Sequence, residues 1–170
     1  MRFTAYVLVC LIVVAGIFFG RCKSSEKPTA GNTLNNDTIL LASIERTPCF
    51  GICPVYKTVI YRSGYAIMHG KRNVPNIGRF STRLTQEQVK SIIRFAEENK
   101  IFDLEGEYIE PRIADFPTTI TELNIHGRYK RIVNTQPSAP EVLLHWEKFL
   151  DSFFNEHTQW QLMNDPQGEE

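Results

Sequence analysis

Cys49 and Cys53 are the residues in this chain whose type and spacing most resemble chemistry. They lie in the stretch TPCFGICPVY, residues 47–56, with Phe50, Gly51 and Ile52 between them and Pro48 and Pro54 alongside. Three uses are open to such a pair: thiol–disulfide exchange, a metal clip, or a covalent staple. Exchange enzymes place two residues between the cysteines and set the first at a helix N-terminus, which lowers its pKa. Here three residues intervene, and the flanking segments read as strands. A zinc site draws four ligands, commonly from two Cys/His pairs. His69, His126, His145 and His157 show no such spacing, and each reads as a surface or boundary histidine. The remaining use is a structural disulfide, the common fate of neighbouring cysteines in an oxidising compartment. Gly51 permits the sharp turn that the bridge requires. Closing a loop of about five residues is expected to contribute on the order of 2 kcal/mol.

Other catalytic signatures are missing. There is no G-x-S-x-G elbow, no H-E-x-x-H and no phosphate loop. No metal or cofactor is expected. Asp103, Glu105, Glu107, Glu110 and Asp115 concentrate acid in one stretch. Their spacing does not match a calcium-binding loop, and they read as a solvated acidic loop. Its length is unusual inside a compact domain. Asp115, just before Phe116 and Pro117, is placed to cap backbone N–H groups or to meet a partner, with Arg112 as an ion-pair mate. Tyr56, Tyr61, Tyr65 and Tyr129 fall on strands, either for cross-strand packing or as a recognition surface. Acidic and basic residues balance to a net charge of zero, and no run of five like charges occurs. That excludes the electrostatic footprint of a nucleic-acid binder.

Residues 3–19, FTAYVLVCLIVVAGIFF, are apolar except for Thr4 and follow Arg2. This is the pattern of a signal-peptide core, near the lower length limit for a membrane span. Cys10 lies within it as a small hydrophobe. Cys22 follows the run after Gly20 and Arg21 and precedes a polar stretch rich in Lys, Ser, Thr and Asn. The arrangement resembles a bacterial lipoprotein signal, with Cys22 as the lipidated residue. Arg21 stands where such signals carry a small residue. An uncleaved anchor and ordinary cleavage are the alternatives. Residues 1–21 are therefore read as signal peptide or anchor, 22–37 as a flexible tether, 38–157 as one globular domain and 158–170 as a tail.

The domain's elements follow from periodicity. TILLASIER and VYKTVIYR are strands on either side of the cysteine loop. Ser63-Gly64 turns the second strand into YAIMHG, and RFSTRL alternates as a half-exposed strand. Thr85 with Gln88 has capping-box spacing, and Val89, Ile92, Ile93 and Ala96 form an apolar stripe that ends near Asn99. Residues 102–117 read as irregular. TTITELNI and YKRIVNT pair across His126-Gly127-Arg128. Ser138 and Pro140 open a last helix whose buried face carries Val142, Trp146, Phe149, Leu150 and Phe153. Tight turns demand antiparallel pairing, and two helical stripes need a sheet to cover. The expected fold is α+β: a two-layer sandwich of about five to six antiparallel strands, in two hairpins, covered on one face by two helices.

Pro48-Cys49-Phe50-Gly51, Cys53-Pro54 and Tyr56, followed more weakly by Gly64, Tyr108, Asp115 and Pro117, resemble the motif of a domain-of-unknown-function family found in bacterial envelope proteins. The resemblance covers about residues 38–157. It implies an exported domain in which the cysteine loop matters, and it brings no activity, cofactor or catalytic residue. The expected function is that of a non-enzymatic binding module, held at the cell-envelope membrane and meeting an envelope protein, peptide or glycan. The alternative is an envelope thiol–disulfide protein acting through Cys49 and Cys53. A hydrolase with a dispersed site is a third, weaker reading.

Overall fold

The computed structural model describes residues 36–110, 116–155 and 159–163. Cys22, Arg112 and Asp115, and the apolar run 3–19, lie outside these residues. Among the described residues eight strands form one sheet: β1 (Leu40–Arg46), β2 (Val55–Tyr61), β3 (Tyr65–Arg72), β4 (Gly78–Arg83), β5 (Glu107–Tyr108), β6 (Thr119–Ile125), β7 (Arg128–Asn134) and β8 (Gln161–Leu162). Their order across the sheet is β5-β7-β6-β1-β2-β3-β4-β8. Among the described residues two α-helices, α1 (Gln86–Glu98) and α2 (Glu141–Asn155), complete the α+β fold.

Two features correct the expectation of five to six antiparallel strands. β5 pairs with β7 in parallel, Glu107 opposite Val133 and Tyr108 opposite Asn134, so the sheet is mixed. The stretch from β4 to β5, which contains α1, carries the chain from one side of the sheet to the other, and β5 and β7 run parallel because they are joined through β6, which is antiparallel to β7. β8 adds two residues beside β4 at the other edge, Phe80 facing Leu162, within the stretch read as a tail.

Local chemistry explains the helix starts. Thr85 Oγ1 accepts from the Gln88 N–H at 3.2 Å, and Gln88 Oε1 accepts from the Thr85 N–H at 2.8 Å, a reciprocal capping box. Val89, Ile92 and Ala96 bury the stripe, and Asn99 caps the end. On α2 the fully buried positions include Leu143, Trp146 and Leu150, with Phe154 beside them. The face is thus rotated towards Leu143 and Phe154, and Val142 and Phe149 are only partly buried. Phe95 of α1 stacks on Phe149 of α2 at 4.4 Å between ring centroids.

The strands contribute alternate residues to a single core: Ala42 and Ile44, Ile60, Ala66 and Met68, Leu123 and Ile125, and Ile132. The next residues along this face, towards the cysteine loop, are polar.

Candidate functional site

Register fixes the site. Asn134 lies opposite Thr119, Thr119 opposite Arg46, Arg46 opposite Tyr56, and Tyr56 opposite Gly70. These residues form one transverse row across β7, β6, β1, β2 and β3, at the end of the sheet next to the cysteine loop. Helix α2 lays two carboxylates over the row. Arg46 donates from Nη2 to Asp151 Oδ2 at 2.6 Å and from Nη1 to Thr119 Oγ1 at 2.6 Å, and it stands 3.5 Å from Glu147 Oε2. Tyr56 donates its hydroxyl to Asp151 Oδ1 and stacks on Phe154 at 4.4 Å. Asn134 Nδ2 donates to Glu147 Oε1 at 2.8 Å, and Asn134 Oδ1 accepts from the Gln136 N–H at 2.8 Å.

Burial shapes the protonation of this network. It opposes charge on Arg46, but the Asp151 carboxylate outweighs it and holds the guanidinium pKa above its ordinary value. The Tyr56 phenol is pushed up, first by burial and then by the adjacent Asp151 carboxylate, so it acts as a donor and not as a phenolate. Burial also raises the Glu147 carboxyl, against the pull of the Asn134 hydrogen bond and the Arg46 charge. Asp151 has a donor on each oxygen. Both oxygens are thus already engaged as acceptors.

The cysteine loop sits at the same end. Cys49 and Cys53 form a disulfide with a Cα–Cα distance of 5.8 Å. The loop is tied at both ends. The Thr47 N–H donates to the Thr118 carbonyl at 3.0 Å, and Thr47 Oγ1 accepts from the Thr118 N–H at 2.9 Å. Asn73 Nδ2 donates to the Cys53 carbonyl at 2.9 Å. Between the cysteines, Phe50 is 89% and Ile52 91% exposed.

Two cavities meet at the row. One, of about 380 Å³, has Arg46, Tyr56 and Asp151 in its lining, with Pro54, Val74 and Phe154 among its walls. A smaller one, of about 150 Å³, is reached by Thr119, Asn134 and Glu147. Arg46 and Pro117 line both.

The residues singled out in the sequence divide accordingly. Cys49, Phe50, Gly51, Cys53, Pro54, Tyr56 and Pro117 gather at this end of the sheet. Tyr56 is core and not part of an exposed aromatic face, being 4% exposed. Tyr61 and Tyr65 stack on one another at 6.1 Å between centroids, and exposed Tyr129 donates to Glu122 at 2.6 Å. Tyr108 is on the short β5, where its hydroxyl accepts from the Glu105 N–H at 3.0 Å. Among the described residues no group of three or more His, Cys, Asp or Glu is placed to hold a metal. Sequence reasoning passed over Arg46, Thr119, Asn134, Glu147 and Asp151. The available signal was Glu147 and Asp151, one turn apart among Trp146, Leu150 and Phe154 on an otherwise apolar helix face.

A family model described as "Domain of unknown function (DUF6438)" matches residues 41–154. The matched span contains the row, the disulfide loop and both helices apart from the last residue of α2. No curated protein and no solved structure matches the chain.

Proposed function

The chain belongs to the DUF6438 family of domains of unknown function, and from that premise we propose that it is an exported, lipid-anchored envelope protein whose domain is a non-enzymatic binding module. Its contact surface is the end of the sheet that carries the disulfide loop. The observation that carries this reading is the placement of exposed apolar side chains. Phe50 and Ile52 lie in the β1–β2 loop, Ile77 in the β3–β4 loop, and Ile109 and Phe116 between β5 and β6. Strand register, antiparallel for β1 to β4 and β6 and parallel for β5 on β7, puts all three connections at one end of the sheet. Apolar tips gathered on loops over a rigid scaffold are the arrangement of a recognition surface.

The proposed anchor is consistent with this surface. The tether enters at the start of β1, and the loop leaves from its other end. Seven extended residues separate the two ends by about 20 Å. Lipid on Cys22 would attach the domain through the segment that leads into β1, so the loop leaves that strand from the end the attachment does not use. Asp151, with both oxygens bound, and Tyr56, held as a donor, favour a structural network over a catalytic one. The partner suited to protruding Phe and Ile side chains is a protein or peptide surface with an apolar hollow.

Photocrosslinking tests the reading. A benzophenone amino acid replaces Phe50 in one variant and Tyr129 in another, in cells making the anchored protein. A discrete adduct from position 50 and none from position 129 is expected. Equal adducts from both positions, or none from position 50, would overturn the reading. Mass spectrometry of the mature chain checks for lipid on Cys22.

A further inference from the structure

We propose, resting on the binding reading above, that the cavity of about 380 Å³ beside the disulfide loop receives a basic side chain of the partner, its cationic head against Asp151 and its methylene stem on the apolar walls. The chemistry of the lining selects this occupant. Among the described residues the charged ones lining the proposed cavity are Arg46 and Asp151, and Glu147 in the adjoining cavity faces Arg46 from its other side, so one base is shared between two acids. Arg46 is already committed to Asp151 and Thr119 at 2.6 Å each and faces Glu147 at 3.5 Å. An incoming carboxylate or phosphate would reach Arg46 only by approaching two carboxylates. An incoming cation meets the surplus negative charge.

Access and shape agree. The Asp151 side chain keeps 21% and Arg46 22% of its surface exposed, so the charged floor is reachable. A carboxylate oxygen that already accepts one hydrogen bond retains a second lone-pair site. Pro54, Val74, Pro75 and Phe154 form walls without charge. Lys and Arg bury their stems along such surfaces while their heads find polar partners. Phe50 and Ile52, exposed on the loop that leads into the cavity-lining Pro54, would then meet residues near the basic one, so the motif expected in a partner is a Lys or Arg close to apolar positions.

The test uses blocked amino acids as probes: N-acetyl-lysine methylamide, its arginine counterpart, the neutral norleucine analogue and the glutamate analogue. Each is titrated into the full chain in detergent micelles, and the amide shifts of Asn73, Val74, Asp151 and Phe154 are followed by NMR. The lysine and arginine probes are expected to shift these amides saturably. Norleucine should bind at least about tenfold more weakly, a difference of about 1.4 kcal/mol, and glutamate should not bind. Asp151→Asn should abolish the preference. Because that change also unpairs Arg46, Val74→Phe serves as the second variant, expected to fill the cavity and lose binding while the melting temperature holds. Equal binding of norleucine and lysine, tighter binding of glutamate, or no shift from any probe at tens of millimolar overturns the inference. A position-50 crosslink that persists without a lysine preference removes this inference alone. The absence of that crosslink removes the binding reading itself.

Discussion

Glu147 stands at 4% exposure between Asn134 and Arg46, with Asp151 one turn along the same helix and Thr119 beneath. Burial raises its pKa above the ordinary 4.5, in spite of the Asn134 hydrogen bond and the Arg46 charge. The folded protein therefore holds this proton more tightly than the unfolded chain does. The stabilising contribution is fully present below the unfolded pKa and is lost as pH rises through the higher, folded pKa. Glu147→Gln keeps a carbonyl oxygen for Asn134 and does not titrate. The stability of E147Q relative to wild type should accordingly be flat in strong acid and climb as pH rises above about 4.5. Urea unfolding of both proteins at matched pH values measures it. A relative stability that falls with rising pH would mean that the attraction to Arg46, and not burial, governs this carboxyl.

At the scale of elements, the turn between β3 and β4 decides whether the cavity keeps its wall. It folds back over Gly70, the one residue in the transverse row without a side chain. A Cβ there would overlap the Asn76 carbonyl oxygen and press on Val74. Gly70→Ala must push this turn outward and, with it, the Asn73 amide that holds the Cys53 carbonyl. Overpacking of this kind costs about 1–3 kcal/mol. The denaturation midpoint should fall accordingly, and the Asn73 side-chain amide resonance should move. An unchanged midpoint would show that the turn does not bear on the sheet. The same contrast explains what was legible in the sequence. Helix α1 was readable from Thr85 to Asn99 because caps and 3.6-residue stripes are local signals. The disulfide was readable because its partners stand four apart. Arg46 and Asp151 are separated by 105 positions, and only the fold brings them together. Two-residue strands such as β5 and β8 are too short to show an alternation, so the parallel pair and the eighth strand left no trace. The polar residues on the face of α2 were visible but were read past, because an apolar stripe tolerates an occasional charge at its margin.

The sheet has two ends with different roles: one where β1 begins, and one where loops, cavities and the charged row converge. The disulfide belongs to the second end, and its energetic share can be separated from its positional one. The loop it closes is short, so cross-linking removes only a modest entropy from the unfolded chain, about 2 kcal/mol. Its flanks are independently tied, by Thr47 to Thr118 and by Asn73 to Cys53. Changing Cys49 and Cys53 together to Ser should therefore lower stability by about 2 kcal/mol in urea unfolding, with an unchanged denaturant slope, because the surface exposed on unfolding is nearly the same. The domain should remain folded at 25 °C, since a loss of that size lies within the ordinary stability of a single domain. The effect on presentation is separate. Without the bridge, Phe50 and Ile52 must be ordered on contact, so the position-50 crosslink should weaken even at temperatures where the variant is fully folded. If stability were unchanged, the bridge would not be a staple. If stability fell and the crosslink did not, the tip would be held by its flanks alone.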